Sequence, residues 1–496
     1  MTQPPTEDYD VVVAGGGPAG STAAALVASQ GHRVLLLEKE NFPRYQIGES
    51  LLPSTIHGIC ELLGVAGEVK RAGFTVKHGG TFKWGASPDP WNFNFAVSRR
   101  LAGPTSYAYQ VERMKFDQIL LDNARRAGVE VREGCTVTGV IGDERASAAR
   151  YVDPDGVKRH ASARFVVDAS GNRSRIHKRA GGERRYSELF RNLAVFGYFE
   201  NGERLPEPDS GNVFSVAFSD GWIWYIPLSP TLTSVGAVVH HKSAHLIQGD
   251  PAEALSKFIG KCPIIADFLA DARRVTEGIY GKVRTRKDYS YCKDKFWAPG
   301  IVLVGDAACF VDPVFSSGVH LATYSGLLAA RSINSVLAGI IDEPTAFREF
   351  DRRYRNEYAI FYEFLAAFYG MHVDRESYYW AAKKITNCEL SELEAFVELV
   401  SGIASGESAL TKPGDVLDQV ASSTRALGDA VRGNGDTGRA GFVPVHRIPI
   451  VERVRSEGAN IQLHAMLGDA SEDAPLFADG LCSSRDGMRW KVPGGR

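Results

Sequence analysis

Little in this chain points to metals, disulfides, nucleic acids or membranes. Its seven cysteines (Cys60, Cys135, Cys262, Cys292, Cys309, Cys388 and Cys482) make no Cys-x-x-Cys pair and no zinc-ligand spacing, so no metal is expected. An odd set of scattered cysteines in a chain of 496 residues suits reduced thiols in a cytoplasmic protein better than a disulfide framework. The 57 basic residues are balanced by 59 acidic ones, and no cluster combines basic with aromatic side chains, which argues against nucleic acid as the main partner. Residues 11–32 carry no charge and could pass for the apolar part of a signal peptide. The preceding MTQPPTEDYD is acidic where a signal needs basic residues, however, and the run holds consecutive glycines and a proline. A buried unit of a globular protein fits better. No other stretch reaches membrane-spanning length. There are no internal repeats, and nothing in the composition fixes an oligomeric state.

What that uncharged run contains is the most informative part of the chain. Val11-Val12-Val13 leads into Gly15-Gly16-Gly17-Pro18-Ala19-Gly20, a small-residue helix to about Ser29, and a second apolar run from Val34 to Leu37 that ends at Glu38. This order predicts a strand, a tight turn, a helix and a parallel strand. Gly15 allows the turn, Gly17 lets backbone approach a diphosphate, and Gly20 lets the helix lie close to the strand. The N–H groups that begin the helix, from Ala19 onward after Pro18, offer partial positive charge to the same diphosphate. Glu38 stands 18 residues after Gly20, where a ribose hydroxyl needs an acceptor. Together these features predict dinucleotide binding.

The rest of the chain does not repeat this unit. Residues 110–131 predict a helix, with Phe116, Ile119, Leu120 and Ala124 at helical spacing, followed by a strand. RFVVDASG at 164–171 predicts a strand and a small turn. Residues 193–240 hold four runs rich in aromatic and β-branched residues, separated by turn residues, which predict an antiparallel sheet. Residues 298–330 return to strand, loop and helix. The fold class is α/β. A nucleotide domain spans 8–190, an inserted antiparallel sheet 191–295, the return of the nucleotide domain 296–340, and a C-terminal helical region 341–496 with a mobile linker at about 405–440. The last segment, with Met488-Arg489-Trp490, is expected to fold back on the body.

Three signals in order separate flavin from nicotinamide. They are the glycine turn, Arg113 at the start of its helix together with Asp168-Ala169-Ser170-Gly171, and Gly305-Asp306 at the end of the strand-like IVLVGD. By residue type alone Asp306 also fits a helix cap. As a set they resemble the FAD-binding pattern of the aromatic hydroxylase-like flavoproteins, and the resemblance implies their Rossmann-type domain. No second strand–turn–helix unit offers a separate nicotinamide site, an absence shared by single-component hydroxylases.

Gly48-Glu49-Ser50-Leu51-Leu52-Pro53, the segment Trp222-Ile223-Trp224-Tyr225-Ile226-Pro227 and Lys77 together resemble the flavin-dependent halogenases. On a strand Trp222 and Trp224 project to one face, where two large rings would separate the flavin from an organic substrate. A hydroxylase must let its substrate touch the activated flavin, and a halogenase must keep it away so that halide reacts first. The resemblance implies that Lys77 is the active lysine, holding hypochlorous acid or forming a chloramine. Lys70, Arg71 and Lys83 are its near competitors. It also implies a chloride site at Ser317 and Gly318, in the DPVFSSGV segment that opens the helix after Asp306; ordinary capping by Ser316 or Ser317 is the structural alternative. Ser50 joins the expected cofactor-binding residues.

YQIGESLLP, GDAACFVDPVFSSGVHLATYS and FYEFLAAFYGMHVDRESYYW extend the likeness to the tyrosine halogenases of glycopeptide-antibiotic biosynthesis. That resemblance implies a tyrosine or β-hydroxytyrosine residue held as a thioester on a peptidyl carrier protein. It further implies reduced FAD supplied by a separate flavin reductase, and chlorination through a flavin C4a-hydroperoxide and hypochlorous acid. The aromatics of residues 361–380 are candidates for a substrate groove, and the basic clusters at 284–287 and 352–355 are candidates for docking an acidic carrier. An FAD-dependent aromatic hydroxylase and a non-catalytic flavin-binding carrier partner remain as alternatives; halide-dependent product formation separates the three.

Overall fold

The computed structural model describes residues 7–84, 89–97, 105–142, 147–369, 401, 475–477 and 479–493. Val11 to Ala14 are uniformly apolar, with no polar alternation, because their strand (Glu7–Ala14) is covered on both faces. It lies in parallel between Val34–Leu37 and Lys158–Asp168, and Lys158–Asp168 in turn pairs in parallel with Ile301–Leu303. Glu130–Arg132 extends this sheet at one edge and Trp297–Ala298 at the other. The register brings Ala14, Leu37, Asp168 and Leu303 to the same end of the sheet. Ligands of open α/β sheets bind outside these carboxyl ends. The helix Pro18–Ala28 is buried along its whole length. It packs closely on the strand end, since a Cβ at Gly20 would come within 1.9 Å of the Gly15 carbonyl oxygen.

A second sheet of nine strands carries the aromatic runs. Its order is Cys309–Phe310, Arg284–Lys293, Arg184–Glu200, Leu232–His240, Gly221–Pro227, Val213–Phe218, Gly79–Lys83 and Trp91–Asn94, with Arg273–Arg274 paired beside Arg184–Glu200. This corrects the expected boundaries. Gly79–Lys83 and Trp91–Asn94 lie within 8–190 yet pair in the second sheet, and the boundary at 191 cuts the strand Arg184–Glu200. The sheet is antiparallel except where Gly79–Lys83 runs parallel to Val213–Phe218.

The helices Ser317–Leu337 and Glu343–Tyr369 follow. The end of the chain returns as a short hairpin, Cys482–Ser483 with Trp490–Lys491, rather than as helix. Trp490 donates its backbone N–H to Ser335 and its indole N–H to Ser332, which seats the hairpin on the Ser317–Leu337 helix. Much of the helical region expected over 341–496, and the linker at about 405–440, lies outside the described residues.

Candidate active site

A cavity of about 450 Å³ opens at the carboxyl end of the parallel sheet and runs to the face of the second sheet. Gly15, Gly17, Pro18, Ala19, Glu38, Ser50, Arg113, Trp222, Trp224, Asp306 and Gly318 all line it. Gly20, Lys77 and Ser317 do not. Gly20 instead sets the approach of helix to strand.

At the nucleotide end, Gly15 has φ +109° and a Cβ there would press on the Ala169 carbonyl at 2.5 Å. Only glycine fits, and the turn can lie flat against a ligand. The Pro18–Ala28 helix has no side-chain cap and no acid in its first turn, so its N–H groups remain for a diphosphate. Glu38 accepts the Gly16 N–H at 2.6 Å and the Glu40 N–H at 2.9 Å, which fixes the carboxylate at the cavity edge. Arg113 is held by a two-pronged pair with the buried Asp117 (2.8 and 2.9 Å) and donates to the Ile47 carbonyl at 2.7 Å. Its charge is therefore an organising one for the 47–50 segment as well as a cavity charge. Asp306 is on a short turn, Gly305–Ala307, with Arg286 at 3.4 Å. The uncapped helix, the glycine turn and this alternation of acids and arginines fit a dinucleotide such as FAD.

The other end is aromatic. Trp222 and Trp224 face the cavity with ring centroids 6.1 Å apart. Behind Trp222 sits Trp84 at 6.2 Å, and from Trp84 a contiguous cluster runs through Phe368 (4.4 Å), Phe82 (5.3 Å), Phe93 (6.1 Å) and Phe95 (5.7 Å). The Lys77 ammonium lies 5.6 Å from the Phe95 ring centre, at the far end of that cluster. Lys77 is only 2% exposed, and its Nζ donates to Ser50 Oγ at 2.9 Å and to the Leu51 carbonyl at 3.1 Å. With no acid beside it among the described residues, burial lowers its pKa to about 7, which gives a substantial neutral fraction. Lys70 and Arg71 are exposed on the Ala66–Arg71 helix and offer no such environment. Lys77 does not touch the cavity itself; Ser50 is the residue common to both.

The Trp222 indole N–H donates to the Tyr369 hydroxyl at 2.7 Å, Tyr369 donates to Asp312 at 2.9 Å, and Asn192 donates to the same carboxylate oxygen at 2.7 Å. The other Asp312 oxygen caps the turn Pro313–Phe315 through the Val314 N–H. Ser316 then takes a left-handed conformation (φ +61°) and starts the Ser317–Leu337 helix without a side-chain cap. Ser316 and Gly318 face the cavity, a Cβ on Gly318 would meet nothing within 4 Å, and Ser317 Oγ is buried with no hydrogen-bond partner among the described residues. The expected capping alternative is not realised. Open space before Gly318, free helix N–H groups and an unspent hydroxyl suit a small anion.

Trp84 and Arg44 carry no role in the sequence, and three further contributors appear there in other parts: Tyr369 among the groove candidates, Arg286 in a docking cluster and Glu49 inside GESLLP. Of these, Glu49 had a visible signal, as the one charge inside GESLLP. The candidate groove and docking residues fare differently. Phe361, Phe364 and Phe368 are core residues, Tyr362 is bonded to Ser187, and Tyr378, Tyr379 and Trp380 lie outside the described residues. Most members of the basic clusters are engaged within the chain, while Lys287 is exposed. Arg284 packs on Tyr45 at 3.8 Å, Arg286 lines the cavity, and Arg352, Arg353 and Arg355 pair with Asp479, Glu349 and Asp351. Ser54, His320 and Glu357 have the connectivity of a hydrolase triad, but all three are buried and none lines the cavity. No group of His, Cys, Asp and Glu among the described residues could hold a metal, and no described helix is long and apolar enough to cross a membrane.

Fold and cavity define an FAD-binding α/β flavoprotein. A family model described as tryptophan halogenase matches residues 10–103 and 98–421. A tryptophan 2-halogenase of Chondromyces crocatus is 35% identical over 407 residues, 79% of this chain and 75% of that one. A 1H-pyrrole-2-carbonyl-(peptidyl-carrier protein) chlorinase of Pseudomonas fluorescens is 30% identical over 395 residues, 74% and 84% of the two chains. Among solved structures, the myxobacterial chondrochloren halogenase CndH, an FAD-dependent halogenase, matches with a TM-score of 0.75 and 50% identity over 98% of this chain and 100% of that one. The chain therefore belongs to the tryptophan halogenase family of flavin-dependent halogenases. It is a halogenating oxidoreductase that uses FAD and halide, which sets aside the hydroxylase and the non-catalytic alternatives.

Proposed function

We propose that this halogenase chlorinates the phenol ring of a tyrosine or β-hydroxytyrosine residue tethered to a peptidyl carrier protein, in glycopeptide-type antibiotic biosynthesis, with a separate flavin reductase supplying reduced FAD. When bound, reduced FAD supplies the two-electron chemistry with dioxygen that turns chloride into hypochlorous acid. The chain's own residues do the rest. The Gly15–Gly20 turn, Glu38 and Arg113 orient the nucleotide. Ser317 and Gly318 present N–H groups, and Ser317 a hydroxyl, to chloride. Trp222 and Trp224 keep an aryl substrate from the cavity. Lys77 receives the oxidised chlorine beyond that partition and places it ortho to the phenol hydroxyl. A phenol is electron-rich, so positioning and confinement carry most of the selectivity.

The observation that carries this reading is Lys77: buried, without an acid partner among the described residues, lowered to about 7 by burial, and bonded to Ser50 of the cavity wall while not itself lining the cavity. A neutral amine can bond to chlorine, whereas an ammonium can only donate hydrogen bonds. Tethering is supported by the carrier-linked substrate of the Pseudomonas relative. The test supplies reduced flavin and chloride with either free tyrosine or tyrosyl-carrier thioester and reads chlorination by mass spectrometry. Carrier-dependent monochlorination or dichlorination is expected. Equal turnover of the free amino acid removes the carrier, and chlorination of indole or pyrrole with none of phenol removes tyrosine.

A further inference from the structure

Glu49 is a second buried ionisable group at the cavity, and the halogenation reading so far gives it no task. It is 2% exposed and lines the cavity. One carboxylate oxygen accepts the Tyr198 hydroxyl at 2.7 Å, and the Tyr198 and Tyr45 hydroxyls are 2.8 Å apart. Because Tyr198 donates inward to Glu49, Tyr45 donates inward to Tyr198, and Tyr45 is only partly buried. The other Glu49 oxygen, Oε2, is buried without a hydrogen-bond partner among the described residues. Ser234 stands beside the carboxyl and also accepts the Trp224 indole N–H at 3.2 Å, which places Glu49 at the tryptophan end of the cavity.

We propose that Glu49, Tyr198 and Tyr45 form a proton relay from solvent to the tryptophan end of the cofactor cavity, with Glu49 holding and delivering the proton. The need for one follows from the reaction's balance. Reduced FAD (FADH2), dioxygen, chloride and one proton give FAD, hypochlorous acid and water. Dioxygen takes up four electrons, two from flavin and two from chloride, and the extra proton must reach the end of the cavity lined by Trp222 and Trp224. A hydrogen-bonded phenol pair can pass that proton without ionising: burial and the Glu49 charge push both phenols far above their ordinary range. The carboxyl's surroundings keep it poised. Burial raises it to about 7, while Tyr198, Ser234 and Arg113 favour the charged form and Glu112 the neutral one. Tyr280 packs on Tyr198 at 4.4 Å and donates to Glu112, and Arg284 covers Tyr45, so no further acid faces the relay among these contacts.

This inference rests on the cavity being the flavin site, and the experiment separates the two. In FAD-free protein, infrared titration of wild type against Glu49→Gln should reveal a protonated-carboxyl carbonyl band that fades through about pH 7 and is missing in the variant. Hypochlorous acid is then captured with a small diketone trap, which bypasses Lys77. Wild-type yield per reduced flavin falls above about pH 7. Glu49→Gln loses that alkaline limb and forms hypochlorous acid about a hundredfold more slowly, the usual size of a general-acid contribution. Tyr198→Phe keeps the infrared band and slows trapping several-fold, because the carboxyl is intact but no longer recharged. Absence of the band in wild type overturns the relay. So does an unchanged pH profile in both variants, or a loss of FAD affinity in Glu49→Gln that accounts for the lost yield. Failure of wild type to bind FAD at all sinks the cavity reading instead.

Discussion

Replacing Lys77 by methionine tests the buried amine through folding stability, before any chemistry. Lys77 is 2% exposed, and burial moves it from 10.5 to about 7. At about 1.4 kcal/mol per tenfold change in proton affinity, keeping the fully charged amine inside costs about 5 kcal/mol. The folded pKa is the depressed one, so the unfolded chain holds the additional proton between about pH 7 and 10.5 and stability rises across that window. Below about pH 7 the cost no longer changes. Following both titrations, wild type gains about 2 kcal/mol between about pH 7 and 9 that the methionine variant does not. Urea denaturation of both proteins along a pH series reads this directly, because every other titrating group cancels in the difference. A difference that stays flat over the series would mean that Lys77 is solvated or paired with an acid, and the case for a neutral amine would fail. The same variant should consume dioxygen with reduced flavin yet chlorinate no substrate, and Lys77→Arg should behave likewise because guanidinium stays charged.

Glu38→Ala removes the acceptor of two backbone N–H groups and should weaken FAD binding by about 1–3 kcal/mol in an equilibrium titration; an unaltered dissociation constant takes Glu38 out of the ribose site. Ser317→Ala should raise the chloride KM by about tenfold with FAD affinity unchanged, the loss of one hydrogen bond to a charged group; an unmoved KM leaves the anion to the backbone alone. Tyr369→Phe strands the Trp222 indole N–H and should lower stability by about 1–3 kcal/mol while shifting tryptophan fluorescence. No spectral change would show that the ring is held by packing and not by that bond.

The parallel unit was legible because its signals are local. Val11–Val13, the glycine turn and Glu38 lie within one short stretch, and each residue type has a single geometric job. The pairing of Gly79–Lys83 with Val213–Phe218 was hidden because it joins distant segments, and Gly79-Gly80 reads as turn rather than strand. The aromatics of residues 361–368 were ambiguous for a different reason. Phe361, Phe364 and Phe368 recur at helical spacing, which fits a buried face as well as a groove, and packing against Phe315 and Trp84 decides for the core. For the basic clusters, charge in a sequence does not reveal its partner; Glu349 and Asp351 lie one turn before Arg353 and Arg355, a spacing that was readable. Lys77 was picked out by resemblance, but its burial away from the acids of the described residues is a property of the fold alone.

Asp312 serves two masters. One of its oxygens anchors Tyr369 and, through it, the Trp222 ring; the other shapes the turn that opens toward Gly318. The proposed barrier against substrate and the proposed seat for halide are thus one mechanical part, fastened at the last turn of the Glu343–Tyr369 helix. An engineer cannot retune one alone. Chimeras that exchange residues 312–318 between relatives should carry the partners of 222 and 369 with them, and libraries that vary halide choice at these positions should show correlated changes in leakage of oxidant onto the aryl substrate.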